Sequence, residues 1–150
     1  PRWMCWTLNR LAEIELLARD AEHSWRLAPA FGLSVQGCLE EAWRIIEPTS
    51  LNLPHRSRTL HNLGWLAWHE GRLDLAEDYL SRALAIRRDY GNYYGVARTL
   101  EVLARVRFSQ ARYDEAKAMF RQASQIRERL HAKPYPQIKQ CNLSLQRRRR

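Results

Sequence analysis

The sequence repeats itself at a fixed offset of 40 residues. When residues 58–88 are laid over residues 98–128 without a gap, ten of the 31 aligned positions are identical. The matches include Leu63 with Leu103 and Ala76 with Ala116. A period between about 20 and 50 residues is typical of a solenoid or array in which each unit is one supersecondary motif. The chain is therefore predicted to contain at least two stacked units of similar structure.

Each unit has the apolar spacing of two helices. In the first helix of the first unit, the residues of one helical stripe lie three and four positions apart: Leu60, Leu63, Gly64 and Ala67. Gly71 fits the position just after a helix, where a positive φ is needed. The second helix is predicted to begin near Asp74, whose charge suits a helix N-terminus. Gly64 and Ala76 are expected to face each other, because small side chains let two antiparallel helices approach closely.

Two sets of residues resemble the tetratricopeptide repeat. They are Leu63, Gly64, Ala67, Gly71, Ala76, Leu80 and Ala83, and then Leu103, Ala104, Tyr113, Ala116, Phe120 and Ala123. The resemblance covers about residues 57–130 and implies an all-α fold, a right-handed superhelical array of antiparallel helix pairs. The second unit departs from the family at Ala111, where glycine is usual, and at Arg107, where the first unit has Ala67.

The segments between the repeats carry a second resemblance. Residues 87–92 and 130–136 are similar to loops in the C-terminal repeats of bacterial STAND-type signalling ATPases and related multidomain transcriptional regulators. This resemblance implies a sensor or scaffold within a larger signalling regulator. It also places the nucleotide-binding module outside this chain, since the sequence contains no phosphate-binding loop motif.

The flanks of the array are less regular than its centre. We expect residues 1–50 to form a degenerate N-terminal helical pair, and residues 51–136 to form two tetratricopeptide-like repeats. A linker is predicted from Glu47 to Pro54. Residues 137–150, which follow two prolines, are expected to form a capping or partial-repeat helix with a basic end. An incomplete array leaves apolar ends, so self-association through residues 1–30 or 137–150 is a further expectation.

The charge of the chain is concentrated in its last third. The whole chain has 25 Lys and Arg against 16 Asp and Glu, and residues 101–150 alone have 13 against four. The chain ends in the arginine run 147–150. Such a tail can bind nucleic acid, an acidic protein surface or anionic lipid, and the alternative interpretation is a solvated helix end. Nucleic-acid binding through the Arg-rich C-terminal half therefore stays open as an alternative function.

The composition points to the cytoplasm. No apolar run reaches the roughly 18 residues of a membrane span, so we expect no membrane association. The three cysteines are far apart in the sequence, which argues against a disulfide framework and fits a reducing compartment. The chain starts at Pro1 without a basic-then-apolar leader, so we expect a piece of a longer protein with no signal peptide.

Motifs for catalysis are scarce in this sequence. His61 and His69 are eight positions apart, two turns along one helix face, so a metal site is conceivable there. No third ligand follows at a spacing typical of metal sites, and none of the cysteines has a partner at a readable offset. We therefore predict a non-catalytic chain that has neither a cofactor nor a bound metal.

The remaining functional hypothesis is a binding groove. In stacked helix pairs, one side of each first helix lines the concave surface. The predicted groove residues are Arg58, His61, Trp65, Trp68, His69, Arg98, Glu101, Arg105 and Phe108. Aromatic rings beside arginines suit a protein or peptide partner, and the arginines favour an acidic one. The alternative is that Trp65 and Trp68 pack against the N-terminal helices or a neighbouring unit.

Overall fold

A computed structural model describes residues 2–20, 34–47 and 53–130 of the chain. Within these residues the protein has no strand and forms six α-helices: α1 (Arg2–Asp20), α2 (Val35–Ile46), α3 (Leu53–His69), α4 (Leu73–Asp89), α5 (Tyr93–Ser109) and α6 (Tyr113–Arg129). Consecutive helices pack in pairs, α1 with α2, α3 with α4 and α5 with α6, and each pair stacks on the next. The predicted all-α array of antiparallel helix pairs is confirmed.

Three turns of the array share one backbone conformation. Gly71, Gly91 and Ala111 follow α3, α4 and α5, and their φ angles are +74°, +75° and +60°. At each turn, the N–H of the positive-φ residue donates to a carbonyl three residues back, and the next N–H donates to a carbonyl five residues back. This pattern satisfies the last carbonyls of a helix and stops it. The prediction that Gly71 ends the first helix is confirmed.

A glycine allows α3 and α4 to approach closely. A Cβ atom added to Gly64 would lie 2.6 Å from Leu80 Cγ and 3.1 Å from the backbone oxygen of Ala76. No side chain fits there without displacing one of the two helices. The expected close approach of Gly64 and Ala76 is therefore confirmed.

The first hairpin shares its core with the repeats. One side of α2 is buried along its whole length, and it consists of Val35, Cys38, Leu39, Ala42 and Ile46. These residues pack with Leu8, Ala12 and Leu16 of α1, and they belong to the same apolar cluster as Leu66 and Ala67 of α3. Because the core is continuous, α1 and α2 form a third hairpin stacked on the repeats.

One boundary differs from the sequence prediction. The helix α3 begins at Leu53, whereas the predicted linker extends to Pro54. Proline is tolerated in the first turn of a helix, where its missing N–H would have no partner in any case.

None of the described helices combines the length and the apolar composition that a membrane span requires. The helix expected in residues 137–150 lies outside the described residues.

Candidate partner-binding face

The nine residues predicted to line a groove lie on one side of α3 and α5. Five belong to α3 (Arg58, His61, Trp65, Trp68 and His69) and four to α5 (Arg98, Glu101, Arg105 and Phe108). We refer to these nine residues as the α3–α5 face. His61, Trp65, Glu101 and Arg105 are buried, and the other five are partly buried. The face is therefore largely covered within the chain itself.

Two carboxylates of α1 account for much of this burial. Asp20 Oδ2 lies 2.5 Å from Arg105 Nη1, and Asp20 Oδ1 lies 3.0 Å from His69 Nε2. The indole N–H of Trp65 donates to the same Oδ1 atom over 3.3 Å. Seven residues before Asp20 and Arg105, respectively, Glu13 of α1 forms an ion pair with Arg98 of α5. The arginines of α5 thus extend past α3 and bind acids of the N-terminal helix.

These ion pairs determine the ionisation of the two acids. Burial by itself would raise the pKa of Asp20, but the hydrogen bond from His69 and the charge of Arg105 outweigh it and hold that pKa below its usual value. Burial opposes ionisation of Glu13 in the same way, and the charge and hydrogen bond of Arg98 lower its pKa. Both carboxylates are therefore ionised at neutral pH and neutralise the arginines that they contact.

A buried amide network joins α1 to α3 beside these ion pairs. The Asn9 side-chain amide donates to Thr59 Oγ1 over 2.9 Å, and the Asn62 amide donates to Asn9 Oδ1 over 3.1 Å. All three side chains are buried. Buried amides cost free energy unless they are hydrogen-bonded, so this network fixes the register of α1 along α3.

The aromatic residues of the face lie toward the C-terminal ends of α3 and α5. The Trp68 indole N–H donates to Ser109 Oγ over 3.0 Å, and its ring centroid lies 4.9 Å from that of His69. The Arg105 guanidinium carbon lies 5.3 Å from the centre of the Trp68 ring, within range of a cation–π interaction. Trp68 and Phe108 thus place apolar rings at the end of the face where Arg105 pairs with Asp20.

Glu101 belongs to a different ion pair. Both of its carboxylate oxygens accept hydrogen bonds from the guanidinium of Arg127 on α6, and both side chains are buried. This two-point contact holds α5 against α6. Glu101 therefore has a structural partner inside its own hairpin.

A small cavity lies between α1, α3 and α5. Its volume is about 20 Å³, room for roughly one water molecule, and its lining consists of Asp20, His61, Trp65, Arg98, Glu101, Val102 and Arg105. Burial and the surrounding arginines hold the pKa of His61 well below its usual value, so its imidazole is neutral. Among the described residues, no three His, Cys, Asp or Glu side chains are grouped closely enough to hold a metal ion.

The two described cysteines are enclosed in the first hairpin. Cys5 and Cys38 are buried, and burial raises the pKa of both thiols. A thiol with a raised pKa is a poor nucleophile at neutral pH. Their surroundings match those of packed apolar residues. Cys141 lies outside the described residues.

The sequence reasoning missed the acids that occupy the face, although the sequence contains a signal for them. Glu13 and Asp20 are seven positions apart in α1, and Arg98 and Arg105 are seven apart in α5. Seven residues are about two helical turns, so each pair projects from one side of its helix. The acids of α1 and the arginines of α5 therefore have the same spacing. Once the two helices are known to lie side by side in the stack, this equal spacing predicts that they form ion pairs.

Comparison with known proteins identifies the repeats. The family model of the tetratricopeptide repeat matches residues 55–129, half of the chain. The chain belongs to the tetratricopeptide-repeat family. Searches of curated proteins and of solved structures return no significant match. The matched region is α3 to α6, so the two family repeats are the hairpins α3–α4 and α5–α6, and the hairpin α1–α2 precedes them.

Tetratricopeptide repeats generally mediate protein–protein interactions and are not catalytic. In this array the first helices of three successive hairpins are α1, α3 and α5. The ion pairs described above therefore join the first helices of the outer two hairpins across the middle one.

Proposed function

We propose that this chain is a non-catalytic interaction module that binds an acidic segment of a partner protein along the α3–α5 face. One observation carries the proposal: Arg98 and Arg105 already hold carboxylates, those of Glu13 and Asp20. Guanidinium groups held in register on one helix suit acidic side chains two helical turns apart. Trp68 and Phe108 add partly buried rings that supply apolar contact area.

In this proposal, partner binding is an exchange of carboxylates. Acidic residues of the partner replace Glu13 at Arg98 or Asp20 at Arg105. The N-terminal helix α1 then no longer covers that part of the α3–α5 face. Because the arginines are never left unpaired, the exchange avoids the cost of an uncompensated buried charge. A partner must therefore compete with the acids of α1 for the arginines. This competition favours partners whose acidic residues have the correct spacing.

The charges of the described repeats favour a protein partner over nucleic acid. Arg98, Arg105, Arg107 and Arg127 each form an ion pair with a carboxylate of this chain. A phosphate backbone would have to displace these internal acids without offering matched spacing. The nucleic-acid alternative depends on the positive charge of residues 101–150 and on the arginine run 147–150, and that run lies outside the described residues.

We also propose that the module belongs to a larger signalling regulator. The sequences of residues 87–92 and 130–136 support this, since they resemble loop sequences of STAND-type regulators. The reading frame around this chain provides the check. A nucleotide-binding module encoded upstream is the expected result, and an adjoining enzyme domain of unrelated type would contradict it.

Selection from a displayed library of random peptides tests the binding proposal. We expect the selected peptides to contain acidic residues. Their affinity should fall at least about tenfold when one ion pair of the face is neutralised on both sides, as in Glu13→Gln/Arg98→Gln. Replacing both partners leaves no unpaired buried charge, so the fold should survive. Peptide affinity is measured by fluorescence anisotropy, and folding by circular dichroism.

The control is the exposed pair on α2, neutralised as Glu41→Gln/Arg44→Gln. This variant removes the same formal charges far from the face, so peptide affinity should stay unchanged. Selected peptides without acidic residues would contradict the proposal. Equal affinity of the wild type and a folded Glu13→Gln/Arg98→Gln variant would contradict it as well.

A further inference from the structure

The two repeats share a buried arginine but differ in the residue that faces it. Arg87 of α4 and Arg127 of α6 occupy equivalent positions, 40 residues apart, and both are buried. The guanidinium of Arg127 is neutralised by two contacts with Glu101. The residue equivalent to Glu101 in the first repeat is His61, which is neutral. The first repeat therefore has the buried arginine without its carboxylate.

The surroundings of Arg87 leave its charge uncompensated. Its side chain donates to the carbonyl oxygen of Gly95 over 2.8 Å and to Thr99 Oγ1 over 2.5 Å, while its Nε atom is buried without an acceptor. Among the described residues, Arg87 takes part in none of the ion pairs, and the nearby carboxylate of Glu13 is paired with Arg98. Arg87 is only 4% exposed. Burial and the nearby charge of Arg98 lower the pKa of Arg87 to about 9.

A pocket opens beside Arg87. Its volume is about 150 Å³, well above the roughly 15 Å³ that one water molecule requires. Its lining includes three arginines, Arg58, Arg87 and Arg98, and Nη1 of Arg58 is also buried without an acceptor. The hydroxyls of Ser57 and Tyr90, 3.0 Å apart, lie in the same lining. Exposed rings of Trp6 and Tyr94 stand at its rim, so solutes can enter.

The charges around the pocket indicate what it binds. Three arginines contribute three positive charges, Glu13 cancels one through its pair with Arg98, and His61 is neutral. The positive charge that remains in the lining suits a phosphate group, which carries about −1.5 to −2 at neutral pH. Phosphate oxygens also accept hydrogen bonds from guanidinium N–H groups, and the Nε–H of Arg87 has no acceptor within the described residues.

We propose that this pocket is a phosphate-binding site formed by Arg58, Arg87 and Arg98. Free phosphate and the phosphate ester of a larger ligand share this chemistry. The site lies where α3 and α5 begin and α4 ends, at the opposite end of the first helices from Trp68 and Phe108. The site shares Arg58 and Arg98 with the α3–α5 face. Arg87 does not belong to that face, so substitution of Arg87 tests phosphate binding separately from peptide binding.

Titration calorimetry of the full chain with inorganic phosphate, in chloride buffer at low ionic strength, tests the proposal. We expect one site with a dissociation constant of about 1 mM or below. In the variant His61→Glu, the first repeat gains the carboxylate that the second already has. That carboxylate should pair with Arg87 as Glu101 pairs with Arg127, and phosphate affinity should fall at least about tenfold.

A second variant and a control variant ensure that the test of phosphate binding does not rest on His61→Glu alone. Arg87→Met removes the unpaired charge and should also abolish phosphate binding. It should fold at least as well as the wild type, since an uncompensated buried charge is lost. The control Arg88→Gln neutralises the adjacent, exposed arginine and should leave the affinity unchanged.

Further titrations identify the source of the phosphate group. Tighter binding of a phosphoserine peptide or of a nucleotide than of inorganic phosphate would support the site and assign it to that class of ester. Acetate binding as tightly as phosphate would overturn the phosphate assignment. The absence of saturable phosphate binding by the wild type up to about 10 mM would overturn the proposal. Unchanged affinity in folded His61→Glu and Arg87→Met variants would do so too.

Discussion

At the scale of single residues, the array depends on a few backbone conformations. Gly71, Gly91 and Ala111 all have a positive φ, and only the last has a Cβ atom. The sequence alone indicates this position, because Ala111 stands 40 residues after Gly71 in the repeat alignment. A left-handed conformation costs an L-residue roughly 1–2 kcal/mol, so the second repeat carries a local strain that the first lacks.

Exchanging alanine and glycine at these equivalent turns should have opposite effects on stability. We expect Ala111→Gly to raise the free energy of unfolding by about 0.5–1 kcal/mol, since relief of strain exceeds the added flexibility of the unfolded chain. Gly71→Ala should lower it by about 1 kcal/mol. Urea unfolding followed by circular dichroism measures both. A stability change of the same sign in the two variants would show that these turns are not equivalent.

At the scale of helices, the sequence predicts the elements well where the repeat is regular. The apolar stripe of α3, the turn at Gly71 and the facing of Gly64 and Ala76 all follow from local spacing, and all are confirmed. The start of α3 at Leu53 was not predicted, because proline in a first helical turn and proline in a linker look alike in a sequence.

The close approach of α3 and α4 predicts the effect of a larger residue at position 64. Gly64→Val should lower the free energy of unfolding by at least about 2 kcal/mol, because its side chain would overlap Leu80 and the backbone of Ala76. In the second repeat, Ala104→Gly should cost about 1–2 kcal/mol, since that fully buried position loses helix propensity and one buried methyl group without any steric overlap. Thermal unfolding of the two variants compares them. A Gly64→Val variant as stable as the wild type would mean that the helices do not nest at this glycine.

For the molecule as a whole, the sequence does not predict how the hairpin α1–α2 packs on the repeats. The order of helices and their stacking follow from the repeats, and the residues of the α3–α5 face could be chosen from the same periodicity. The seven-residue spacing shared by the two acids of α1 and the two arginines of α5 points to their pairing only when the stacking of α1 on α3 is known. Asp20 and Arg105 are 85 positions apart, and their contact depends on how a hairpin without repeat similarity stacks on α3. Such a contact is fixed by packing and by buried amides such as Asn9, which no periodic pattern reveals.

The central claim is that α1 lies across the array so that its acids hold the arginines of α5. A double-mutant cycle of Asp20→Asn and Arg105→Gln, measured by chemical unfolding, tests it most directly. We expect a coupling free energy of about 1–3 kcal/mol, because both groups are largely buried and in contact. The same cycle on the exposed Glu41–Arg44 pair serves as a control and should give no resolvable coupling. No coupling between Asp20 and Arg105 in folded variants would contradict the placement of the N-terminal helix.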